Sequence, residues 1–141
     1  IMQNDEPVPF NVVMRRLEDY VALEQIRLED RINFIKDIQV TNFKMPALIL
    51  QPIVENAIKH GLTPKAGGGS ITLKTYEDGN DIIIKITDDG VGYDINAMPR
   101  EGSVGMKNIR FRLDYLMNGT LEINSVIGEG TEAVITIPKE E

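Results

Sequence analysis

The stretch that most restricts the fold is residues 50–61, LQPIVENAIKHG. As a helix it places Leu50, Ile53, Val54, Ala57, Ile58 and Gly61 on one stripe, at the i, i+3, i+4 spacing of a core-facing surface. Asn56, Lys59 and His60 then fall on the flank and the opposite face, so an amide, an ammonium and an imidazole line the edge of a buried helix. Pro52 stands inside the helix as this pattern draws it, where a missing N–H costs about 3 kcal/mol. Local rules are broken mostly at functional or strained sites, which marks this helix as the first place to look for one.

The rest of the chain bounds the classes of function. With 141 residues and 42% hydrophobic content, one domain with a real core is expected. A net charge of −7 argues against a nucleic-acid or anionic-membrane surface, both of which call for clustered Lys and Arg. The chain has no cysteine, so neither a disulfide framework nor a thiolate zinc site is available, as in a reducing compartment. Apolar runs such as residues 45–50 fall far short of the roughly 20 residues of a membrane helix, and no signal peptide is visible. A chain that opens on Ile1 and soon enters a helix is expected to be a piece excised from a longer protein.

Taken in order, residues 11–30 read as an amphipathic helix with Met14, Leu17, Tyr20, Val21 and Leu28 among its apolar positions. Residues 31–38 read as a short strand, and Pro46 as a first-turn residue of the central helix, where its missing N–H does no harm. Strands are expected over 70–76 and 81–87, joined at Asp78-Gly79, a strong hairpin signal. Residues 93–104 lack apolar periodicity and read as a mobile loop; 105–118 read as a second core helix facing in through Ile109, Leu113 and Leu116 and stopped by Gly119. Closing strands over 120–125 and 132–137 flank the turn Gly128-Glu129-Gly130. This order predicts an α+β fold, a two-layer sandwich of a mixed sheet with helices on one face.

Four segments stand in a fixed order along the chain: ENAIKHG, DDGVG, GSVGM and GEGT. Together they resemble the N, G1, G2 and GT boxes of the GHKL, or Bergerat, ATP-binding fold shared by sensor histidine kinases, gyrase-type topoisomerases and heat-shock chaperones. With DYVALEQIRLEDR upstream and NIRFRL downstream, the wording is similar to the LytS/YehU-type sensor histidine kinases. The resemblance implies a catalytic ATP-binding domain over residues 31–141, with residues 1–30 as a linker helix from the C-terminal end of a dimerisation region. It also implies ATP and Mg²⁺ as cofactors, and transfer of the γ-phosphate to a histidine outside this chain and then to a response-regulator aspartate. The regulator is expected to be of LytTR type, the full-length protein a homodimer, and this part a cytoplasmic domain of a membrane protein. Two other readings stay open: a stand-alone serine kinase of anti-sigma-factor type, and an ATP-sensing module without transfer.

The site residues follow from the same match. Asp88 is an acceptor-only side chain at a strand end, suited to the adenine 6-amino group and opposed to the guanine carbonyl. Gly90 and Gly92 let the backbone approach the base. The spacing of DDGVG excludes a calcium loop, since the glycines fall where oxygen ligands are needed; a plain turn remains the alternative. The resemblance assigns Asn56 as the single Mg²⁺ ligand and Lys59 as a phosphate contact, although Lys59 also suits an i, i+4 pair with Glu55. His60 is a nucleotide contact or a structural histidine; the phosphoacceptor of the family lies on an upstream helix, and no His precedes His60. Gly102, Val104, Gly105 and Met106 would form the far wall and a helix N-terminus suited to phosphate, with Ser103 and Met106 departing from the family's usual GxGL. Residues 93–104 would then act as a lid. Thr131 is a base contact or a plain β-branched strand residue, and Arg110 and Arg112 are phosphate contacts or salt-bridge partners. Gyrase-type relatives carry a water-activating carboxylate one turn before the magnesium ligand, where this chain has Pro52. Steady hydrolysis is therefore expected to be poor, and Glu55 is the candidate catalytic base for transfer to histidine.

Overall fold

The computed structural model of the chain describes residues 6–96 and 103–139. Strands β1 (Pro7–Pro9) and β3 (Lys44–Pro46) pair with each other, while β2 (Ile32–Ile38), β4 (Gly69–Asp78), β5 (Asp81–Asp88), β6 (Thr120–Val126) and β7 (Gly130–Pro138) form a sheet in the order β2-β4-β5-β7-β6. The β2–β4 pairing is parallel and the others are antiparallel. A parallel pair needs a long crossover, and here the crossover contains β3 and the central helix.

Period-two alternation separates the two faces of the sheet. Leu73, Ile86, Ala133 and Ile123 form one row of the inner face, and Thr75, Ile84, Ile135 and Leu121 the next. Helices α1 (Phe10–Arg27), α2 (Leu50–Asn56) and α3 (Ser103–Met117) send Leu17, Val54 and Leu113, among others, into one core with these rows. The opposite face carries Lys74, Lys85 and Glu122 in a single row. The two-layer α+β sandwich expected from the sequence forms. Thr75, fully buried, donates its hydroxyl to the Val40 carbonyl at 2.9 Å and accepts the Val40 N–H at 3.3 Å, so its polar atom is satisfied inside the core.

Three local expectations are corrected. Pro46 lies in β3 opposite Pro7 rather than in a helix; a two-stranded edge pairing tolerates proline because one side of each strand needs no donor. Pro52 is the third residue of α2, and the first N–H groups of a helix have no intrahelical partner, so it costs no hydrogen bond. Asn118, not Gly119, takes the left-handed conformation that ends α3, at φ 52°, with its N–H on Asp114 O at 3.1 Å. That is a left-handed cap, and the Gly119 N–H adds a second bond to Leu113 O at 2.9 Å. The hairpin falls where Asp78-Gly79 placed it, with a two-residue loop between the paired Asp78 and Asp81 and Gly79 at φ 61°.

Candidate functional site

The central helix does not stay α-helical. After Asn56 it widens into a π-helical turn, Ala57–Leu62, closed by the Thr63 N–H on Ile58 O at 2.8 Å. Such turns are rare and concentrate at functional sites. Leu62 is buried alongside Ile58 and Gly61, which carries the apolar stripe one residue past the stretch 50–61. Along this helix Glu55 and Lys59 are exposed while Asn56 and His60 are half-buried. Glu55 lies close enough to α1 to act on Tyr20, whose hydroxyl is pushed up to about 12 by burial first and then by the negative charges of Glu24 and Glu55.

The π turn ends against the loop that follows β5. Gly61 O accepts the Val91 N–H at 3.0 Å, and the two backbones meet so closely that a Cβ on Gly90 would lie 2.4 Å from the Gly61 carbonyl carbon. Asp88 points into this junction and is 5% exposed. Its Oδ1 accepts the Gly90 N–H at 2.8 Å, and a Cβ on Gly61 would sit 3.0 Å from the same oxygen. Burial raises the Asp88 carboxyl above its ordinary range, opposed by the backbone donors of Gly90 and Thr131. A carboxylate has about four acceptor positions, so two backbone donors leave it capacity for a ligand donor.

The other aspartate of DDGVG has a different task. Asp89 is exposed; its Oδ1 accepts the Ser70 N–H at 2.8 Å and its backbone carbonyl accepts Lys65 Nζ at 2.7 Å. It fastens the loop of residues 63–68 to the start of β4. On the far side, Gly92 at φ 67° would bring a Cβ to 2.1 Å from Val126 O, and Val91 O accepts the Gly128 N–H at 2.8 Å. The DDGVG loop is thus clamped between the π turn and the β6–β7 turn.

One row of the inner face crosses the site: Ile71, Asp88, Thr131 and Ser125 stand side by side on β4, β5, β7 and β6. Thr131 therefore neighbours Asp88. Ser125 was not singled out by sequence reasoning, and a serine in a strand offers no motif that would have done so. Its Oγ lies 2.7 Å from Thr131 Oγ1 and accepts the Tyr93 N–H at 2.9 Å. Gly130 is required here, since at φ 120° a Cβ would lie 2.0 Å from Asp88 O.

The structure thus gathers Asp88, Gly90, Gly92 and Thr131 around the end of the helix that bears Asn56, Lys59 and His60. Met106 is buried at the start of α3, whereas Gly105 is exposed with open space around it among the described residues. Val104 lies in the first turn of α3, and Gly102, with residues 97–101 of the expected lid, lies outside the described residues. Arg110 donates from Nε to Leu121 O at 2.9 Å, which makes it a tie between α3 and β6; Arg112 is half-buried. Among the described residues no group of three or more acidic or histidine side chains could hold a metal, and no helix is long and apolar enough to cross a membrane.

Comparison with known proteins bears on the family and the fold. The family model for the histidine kinase-, DNA gyrase B- and HSP90-like ATPases matches residues 43–141. The sensor histidine kinase YpdA of Escherichia coli is 34% identical over 99% of this chain and 26% of its own length. YesM, a sensor histidine kinase of Bacillus subtilis, is 33% identical over 84% of this chain and 22% of its own. The sensor protein LytS of Staphylococcus saprophyticus is 30% identical over 89% and 23% respectively. The chain thus spans about a quarter of the length of these curated relatives. In fold it is similar to the catalytic domain of histidine kinase ThkA, with a TM-score of 0.70 at 15% identity over 96% of this chain and 95% of that one. It is also similar to the blue-light activated histidine kinase of Erythrobacter litoralis, with a TM-score of 0.72 at 21% identity over 93% and 42%. The chain belongs to the histidine kinase-, DNA gyrase B- and HSP90-like ATPase family, as an ATP-binding catalytic domain of the LytS-type sensor histidine kinases.

Proposed function

We propose that the junction of the π turn, the DDGVG loop and β7 holds ATP with Mg²⁺, and that the domain transfers the γ-phosphoryl group to a histidine outside this chain. The observation that carries the reading is the buried Asp88 carboxylate, set over the Gly61–Gly90 backbone contact with acceptor capacity to spare. Asp88 accepts the adenine 6-amino group, and Gly90 and Gly92 keep the backbone close beside the base. Lys59 meets the phosphates as a point charge. Asn56 fits a magnesium ion that keeps water and phosphate oxygens around it and needs few protein ligands. When bound, Mg²⁺ neutralises charge on the phosphates, and transfer otherwise depends on positioning. Glu55, one residue from Asn56 and exposed, takes the proton of the incoming histidine.

In the intact protein α1 connects this domain to an upstream dimerisation region that carries the acceptor histidine. The phosphoryl group then passes to an aspartate of a response regulator, for which a LytTR type is the natural counterpart of a LytS-type kinase. The domain works on the cytoplasmic side of the membrane in a homodimer.

Calorimetry of ATP binding, with and without Mg²⁺, tests the site. The chain is expected to bind ATP, Asp88→Asn to abolish binding, and Asn56→Ala to keep binding but lose its Mg²⁺ dependence. Undiminished binding by Asp88→Asn would move the adenine elsewhere. For Glu55, the intact kinase carrying Glu55→Gln is expected to bind ATP normally and lose at least tenfold in autophosphorylation rate, in line with one general base; full activity would remove Glu55 from the mechanism.

A further inference from the structure

Ser125 is a buried hydroxyl, 9% exposed, with three partners converging on one oxygen. It accepts the Tyr93 N–H at 2.9 Å, lies 3.2 Å from Gly130 O, and lies 2.7 Å from Thr131 Oγ1. A hydroxyl has one proton to give and two lone pairs to receive with. Gly130 O has no proton, so Ser125 must donate in that direction. Tyr93 N–H fills one lone pair. The remaining contact is satisfied only if Thr131 donates its own proton to Ser125. The opposite assignment, with Ser125 donating to Thr131, leaves the contact to Gly130 O without a hydrogen. The arrangement that satisfies all three contacts therefore spends Thr131's single proton on Ser125.

That assignment decides what Thr131 offers to its other side. With its proton committed, Thr131 Oγ1 presents only lone pairs, and it does so next to Asp88, its direct cross-strand neighbour on the inner face. We infer that Ser125 is a specificity-determining positioning residue, which turns Thr131 into a second acceptor beside Asp88 and so selects purine nucleotides with a 6-amino group over those with a 6-oxo group. The inference rests on the adenine site placed at Asp88 above. Two acceptors match the two hydrogens of an amino group and repel a carbonyl oxygen. A freely rotating threonine hydroxyl would donate to that carbonyl and relax the choice. The same serine holds the N–H of Tyr93, which ties the start of the loop after Gly92 to the recognition row.

The test compares dissociation constants for ATP and inosine triphosphate, which differ in the 6-substituent of the base, on the 141-residue chain with Mg²⁺ present. Ser125→Ala is expected to lower the preference for ATP about tenfold, the scale of one hydrogen bond turned from repulsion to attraction. Thr131→Val should lower the preference similarly, and adding Ser125→Ala to Thr131→Val should change it no further, since both act through one hydroxyl. Should Ser125→Ala fail to fold, Ser125→Cys, close in volume and weaker both as donor and as acceptor, reads the same ratio. A serine that merely supports the strand would weaken both nucleotides equally and leave the ratio unchanged, which would overturn the inference. So would a further loss in the double variant equal to that of Ser125→Ala alone. Failure of the unaltered chain to bind either nucleotide would instead strike the adenine site itself, and the inference with it.

Discussion

Asp88 shows at the scale of one residue how function and stability pull apart. Its carboxyl is buried, and burial holds its proton more tightly in the folded chain than in the unfolded one. A group raised in this way adds stability only below its unfolded value of 3.8, and that contribution is lost as pH rises through the folded value. Burial thus disfavours the ionised form of Asp88 in the folded domain, the form that accepts a ligand's amino hydrogens. Asp88→Asn keeps the shape and the acceptor for the Gly90 N–H. Its thermal unfolding at neutral pH is expected at or above the wild-type temperature, with the difference between the two narrowing as the pH is lowered towards 3.8. Scanning calorimetry across that range checks it, and a variant that melts lower at neutral pH than at acid pH relative to wild type would contradict the sign. Asp88 was legible in the sequence because a short motif announces it. Ser125 was not, because alternation with Leu121 and Ile123 gives its face but not its neighbours; only register puts it beside Thr131.

At the candidate site two elements meet through backbone. The π turn and the DDGVG loop touch where Gly61 and Gly90 lack a Cβ, and the Val91 N–H on Gly61 O closes the contact. Gly90→Ala would place a methyl 2.4 Å from backbone that cannot move aside like a flexible side chain. A loss of about 1–3 kcal/mol is expected in denaturant unfolding, together with weaker ATP binding because Asp88 is displaced with its loop. The pattern of residues 50–61 correctly drew the buried stripe through Leu50, Ile53, Val54, Ile58 and Gly61. It missed the change from α to π winding, since an amphipathic stripe cannot show where one extra residue is accommodated. It also misjudged Pro52, whose cost depends on where the first turn begins.

At the scale of the whole molecule, α1 is a wall of the domain. Phe10, Val13, Met14, Leu17 and Val21 are buried in the same cluster as Leu113 and Ile135. Leu17→Ala, at a position 1% exposed, should cost about 2–5 kcal/mol by chemical denaturation and lower the melting temperature of the entire domain in one transition. A separate early transition would show α1 to be independent of the core. Helix α1 is thus both part of the core and, in the proposed whole protein, the connection to its upstream half.

By itself the sequence determined the three helical regions, the five strands of the main sheet, the two-layer class and the family, though not the small β1–β3 pairing, because periodicity, turn residues and the four ordered boxes are local properties that survive without coordinates. Tertiary structure alone decided that the two aspartates of DDGVG face different neighbours, that Gly61 and Gly90 meet without side chains between them, and that a hydrogen-bonded row runs from Asp88 through Thr131 to Ser125. Those relations depend on strand register and helix winding, which bring together residues far apart in the chain, and no local pattern carries them.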